Sequence, residues 1–129
     1  MTFFAHSGSD ESQTDWQLLR DHLRDTGSLA AEFARPFGAE RLARLAGLLH
    51  DVGKYDPQFQ RRLTGDPTRV DHSTAGAFLV SKGALTPESP ADAFLARLVA
   101  YAIAGHHAGL ADWTIQPGRP ATGGELSDR

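Results

Sequence analysis

The stretch Leu48-Leu49-His50-Asp51-Val52-Gly53-Lys54 constrains this chain more than any other. An apolar run ends there in an imidazole beside a carboxylate, followed by a glycine able to close a helix and by a lysine. The pair offers a metal ion one neutral nitrogen and one anionic oxygen, and the carboxylate has a second oxygen with which to bridge two ions. A His-Asp dipeptide arises by chance in many chains. Its weight here comes from His22 upstream and His72, His106 and His107 downstream. These six residues are expected to converge on one metal site.

With 129 residues the chain is long enough to bury the core of one domain. It has no cysteine, which excludes disulfides and thiolate metal sites. Any ion must take His, Asp or Glu ligands, and several imidazoles favour Mn, Fe, Co or Ni while still admitting Mg. The net charge of −3 argues against a domain that grips nucleic acid mainly through basic surface. Two bound divalent ions would reverse that sign and concentrate the added charge in one cleft. No apolar run approaches the ~18–20 residues that span a bilayer, and the N-terminus lacks the basic start of a signal peptide. The expectation is a cytoplasmic protein with no membrane partner.

The apolar spacing predicts helices throughout. Thr14-Asp15-Trp16-Gln17 reads as a capping box opening a first helix that runs to about residue 34, with Trp16, Leu19, Leu23, Ala30 and Phe33 inward. A second runs from about Ala39 to near Gly53, placing His50 and Asp51 in its last turns. Asp56-Pro57 opens a short third helix, and Asp71 a fourth with Ala75, Leu79 and Val80 inward and His72 in its first turn. Ser89-Pro90 opens a fifth, which carries Phe94, Leu95, Leu98, Val99, Ala102 and Ile103 and delivers His106 and His107 at its end. No segment shows strand periodicity, so the fold class is all-α. Neighbouring residues on a helix diverge by about 100°, so His50 and Asp51 straddle a groove rather than share a face.

His50-Asp51 with Gly53-Lys54 resembles the signature of the HD superfamily of metal-dependent phosphohydrolases. Ala5-His6-Ser7, Asp21-His22-Leu23, Asp71-His72-Ser73 and Gly105-His106-His107-Ala108-Gly109-Leu110 follow in the order of a narrower group. That group is the HD nuclease domain of the prokaryotic type I CRISPR-associated helicase-nuclease. The resemblance implies an HD-domain helical bundle over residues 1–113, followed at 114–129 by a loop and the start of a further helix. It implies His22, His50 and Asp51 at one ion, with Asp51 bridging to a second held by His72, His106 and His107. Asp51 and Lys54 would be catalytic, and Lys54, Ser73 and His6 would contact substrate. The implied activity is cleavage of single-stranded DNA by two-metal activation of water, in antiviral interference. The implied partners are that DNA, an ATP-dependent helicase domain or subunit and a crRNA-guided surveillance complex.

The chain departs from this pattern at its end. The first site is usually completed by an aspartate well beyond the tandem histidines, whereas this chain stops 22 residues after His107. Asp112 lies too close to the pair to be an obvious stand-in, and Asp128 falls in the opening turn of a further, interrupted helix. The expectation is a C-terminally truncated domain with a weaker first site. Two other readings stay open: hydrolysis of nucleotides by an HD phosphohydrolase, and an inactive docking module. For Lys54, a charge favourable at a helix end competes with phosphate binding. Arg61, Arg62 and Arg69 read as a solvated face that could guide a polyanion, and Tyr55 and Trp113 as packing residues.

Overall fold

A computed structural model describes residues 1–84, 88–107 and 109, with residues 83 and 84 as backbone alone. Five helices form its body: α1 Leu19–Ala34, α2 Glu40–Leu49, α3 Pro57–Leu63, α4 Ser73–Leu79 and α5 Pro90–Gly105. The helical fold class is as expected. The cap-then-proline openings are also in place, since Asp56 accepts from the Gln58 N–H and Ser89 from the Asp92 N–H. The His-Asp pair falls just after α2. His50 is the C-cap of that helix, and Asp51 leads into a tight 3₁₀ turn over Val52–Tyr55.

The opening of the chain departs from the expected capping box. Thr14 donates to Asp10 Oδ2 at 2.6 Å instead of capping a helix, and Asp15 accepts from the Ser9 N–H and hydroxyl. Residues 9–15 thus form a polar loop satisfied by its own carboxylates, and Gln17–Leu18 emerges extended. This strand, β2, pairs antiparallel with β1, Phe4–His6, an element that the sequence reading left irregular. The Leu19 N–H, one of the unpaired donors at the start of α1, finds the Phe3 carbonyl at 2.9 Å. The Gln60 side chain of α3 holds the other side of β1 through the Phe4 N–H and carbonyl, and also donates to the Lys54 carbonyl at 2.7 Å.

The larger core joins Ala77 and Val80 to Ala96, Val99, Ala100, Ile103 and Ala104, with Leu42, Leu45, Ala46 and Leu49 packed against it. The expected inward face of α5 is therefore rotated. Its alanines let α2 and α4 approach closely, which leaves Phe94 and Leu98 half exposed, and Leu79 on α4 is likewise outside. On α1 the buried positions are Leu19, Leu23, Gly27 and Ala34, while Phe33 is exposed. A smaller cluster of Ala5, Leu19 and Leu23 with Phe3 seats β1 on α1. None of the described helices is long and apolar enough to cross a membrane.

Two glycines set helix spacing at the site. A Cβ on Gly47 would lie 2.7 Å from the Gly27 Cα, so α1 and α2 cross in near backbone contact, one turn before His50. A Cβ on Gly53 would lie 2.7 Å from the His72 Cα, so the turn after Asp51 is pressed onto the start of α4. Gly47→Ala must push α1 and α2 apart. It is expected to cost about 1–3 kcal/mol, read as a lowered midpoint in urea, and an unchanged midpoint would refute the close crossing.

Candidate metal centre

The ligand-type side chains arrive from five different elements. β1 brings His6, α1 brings His22, and the end of α2 brings His50 and Asp51. The start of α4 brings His72, and the end of α5 brings His106 and His107. They meet at the Asp51 carboxylate, which is 2 % exposed. Its Oδ2 lies 3.2 Å from the Nε2 atoms of both His22 and His50. Its Oδ1 lies 3.3 Å from His106 Nε2, 3.5 Å from His72 Nε2 and 3.9 Å from His107 Nε2. One oxygen thus faces each histidine group.

The donor set demands cations. His50 Nδ1 lies 2.7 Å from the Gly47 carbonyl and His106 Nδ1 2.6 Å from the Ile103 carbonyl. A carbonyl can only accept, so both Nδ1 atoms carry protons, and in the neutral form of either ring Nε2 then presents a lone pair. Those lone pairs face a carboxylate, and His50 Nε2 also lies 3.1 Å from His22 Nε2. His72 Nε2 is buried without a hydrogen-bond partner. Acceptors set against acceptors in a buried cluster are unfavourable unless protons or metal ions stand between them.

Titration behaviour follows the same crowding. Burial holds the pKa of His22 below the ordinary value, with His50 adding to the effect, and burial does the same to His72. His107 is lowered by partial burial and by His106. Burial is the largest influence on His50 and pulls it down. The hydrogen bonds to Asp51 and Gly47 outweigh that, so its pKa is raised. Asp51 is also penalised by burial, but hydrogen bonds from His50 and Lys54 hold it well below the carboxylate range. It stays an anion.

Among the described residues, two groups of side chains have ligand atoms close enough to share an ion: Asp51, His72, His106 and His107, and separately His6, His22 and Asp51. His50 stands beside the second group through the contacts given above. The sequence reading placed His6 against substrate. In the fold its ring packs edge-on to His22 at a centroid distance of 5.0 Å. Only the strand pairing, with no periodicity to announce it, carries His6 there.

Lys54 is not at a solvated helix end. It is 3 % exposed, and its Nζ lies 2.8 Å from Asp51 Oδ2 and 3.1 Å from the Ala5 carbonyl, above the Phe59 ring. Ser73 is the first residue of α4, and its hydroxyl donates to Asp71 Oδ1 at 3.1 Å rather than to the cluster. Asp112, Trp113, Asp128 and the 114–129 segment lie outside the described residues.

Residues 19–122 match the HD domain family, a span that takes in every ligand candidate except His6. The chain belongs to that family. HD domains are generally metal-dependent phosphohydrolases that bind divalent ions, and the donor set gathered at Asp51 in this HD domain suits such ions. No curated protein matches the chain significantly.

Proposed function

We propose that this HD domain is a nuclease that cleaves single-stranded DNA, acting as the HD nuclease domain of a type I CRISPR-associated helicase-nuclease. The observation that carries this reading is the number of imidazoles around one carboxylate. Six histidines surround Asp51, in two groups that face different oxygens. The tandem His106-His107 before Ala108-Gly109-Leu110 supports the narrower assignment. On this reading the strand is supplied by an ATP-dependent helicase in a prokaryotic cytoplasm, and the crRNA-guided complex selects it.

His72, His106 and His107 would hold one ion, and His6, His22 and His50 the other, with Asp51 between them. Bound there, two divalent ions would supply Lewis acidity that activates water and neutralises charge developing on the phosphate. The protein's own contribution is fixed geometry. The Gly47 and Ile103 carbonyls lock the His50 and His106 rings, and Lys54 orients the Asp51 carboxylate. The resemblance also gives Lys54 a part in holding the scissile phosphate.

Assays with Mn²⁺, Co²⁺, Ni²⁺ and Mg²⁺ test the reading on labelled single-stranded DNA, duplex DNA and free nucleotides. Cleavage of the single strand is expected to exceed that of duplex, with the transition metals above Mg²⁺ and nucleotides untouched. Nucleotide hydrolysis without DNA cleavage would instead identify a nucleotide phosphohydrolase.

A further inference from the structure

A cleft of about 330 Å³ opens between β1 and α3, lined by Ala5, His6, Ser7, Lys54, Phe59, Arg62, Leu63, His72 and His107. It adjoins both ligand groups, since His6 belongs to one and His72 and His107 to the other. Among the described residues, no acidic side chain lines it. Its polar wall is cationic or neutral throughout, and its volume falls at the low end of the range for small-ligand sites, about 300–1,000 Å³.

The two cations in the wall differ. The ammonium of Lys54 is spent on Asp51 and the Ala5 carbonyl inside the cluster. Arg62, on α3, forms no ion pair among the described residues, whereas its neighbour Arg61 sits 3.9 Å from Asp66 and is not among the residues lining the cleft. A planar guanidinium without a carboxylate partner, beside a phosphate-handling centre, matches the fork geometry that phosphate oxygens accept.

We propose that this cleft is the strand-binding subsite of the centre, and that Arg62 grips the phosphodiester flanking the one that is cut. The inference rests on the phosphodiesterase reading above and deepens it. A ligand with a single phosphate engages the ions alone, whereas a polynucleotide reaches Arg62 as well. Arg62 would therefore make the chain favour a strand over a mononucleotide.

The test reads binding rather than turnover. Fluorescence anisotropy of a short labelled oligodeoxythymidylate with cleavage-resistant phosphorothioate linkages is measured in Mn²⁺, across a salt series, on the unaltered chain and on Arg62→Ala, Arg62→Lys and Arg61→Ala. Arg62→Ala is expected to weaken strand binding about tenfold and to flatten the log–log salt slope by about 0.7, the share of one single-strand phosphate. Arg62→Lys should recover part of the loss, and Arg61→Ala should bind as the unaltered chain does. Thymidine monophosphate, added as competitor, should bind equally to Arg62→Ala and the unaltered chain. Equal strand binding by Arg62→Ala, equal weakening by Arg61→Ala, or no strand binding by the unaltered chain would overturn the proposal. Failure of the nuclease reading itself would look different: no cleavage in Mn²⁺, with Arg62-dependent strand binding intact.

Discussion

Asp51→Asn is expected to empty both halves of the centre at once and to lower DNA cleavage at least about 1,000-fold, as loss of several kcal/mol of metal-borne stabilisation implies. The reason is geometric: each carboxylate oxygen faces a different histidine group. Among the described residues, Asp51 is the one side chain that belongs to both candidate ligand groups. Asp51→Ala adds a folding defect, because it strands the buried Lys54 ammonium without its partner. Breaking a buried pair in this way costs about 3–5 kcal/mol. Metal analysis of the folded Asn variant, with circular dichroism to confirm the fold, separates the two effects. An Asn variant that retains unaltered metal content would remove Asp51 from the centre.

Lys54→Met should act in a metal-dependent way. The methionine keeps the contact with Phe59 but removes a charge that lies 2.8 Å from Asp51 Oδ2. Without ions, Asp51 loses its nearest cation and the fold should lose about 3 kcal/mol. With Mn²⁺ bound, the ions neutralise the same carboxylate and the loss should shrink markedly. Metal content should persist while cleavage slows. Urea unfolding in chelator and in Mn²⁺ gives the comparison. An equal loss under both conditions would mean that Lys54 serves packing alone.

Much of this was legible before any coordinates. The Asp56-Pro57 and Ser89-Pro90 caps announce helix starts because a side-chain acceptor and a fixed proline φ act locally. The histidines were legible as residues at the ends of separate helices, where a cleft can gather them. What failed depends on distant partners. The strand pairing draws on Gln60, 56 residues from Phe4, and two or three residues are too few to show alternation. Thr14 looked like an N-cap because its spacing to Gln17 fits one, but its hydroxyl donates to Asp10 and the helix opens only at Leu19. The α5 face was misread because large apolar residues outweigh alanines in a periodicity count. In the packed bundle Ala96, Ala100 and Ala104 lie inside beside Val99 and Ile103, where their small side chains let the helices come close. The burial of Lys54 was not legible for a similar reason: nothing local tells that β1 will pack against it.

The two-group reading of Asp51 is tested most directly by metal stoichiometry. Equilibrium dialysis against Mn²⁺, followed by elemental analysis, should give two ions per chain. It should give one for the paired change His6→Ala with His22→Ala, one for His72→Ala with His107→Ala, and none for Asp51→Asn. A single ion in the unaltered chain, lost equally with either histidine pair, would contradict the account. It would mean that the cluster is one site with Asp51 as an ordinary ligand.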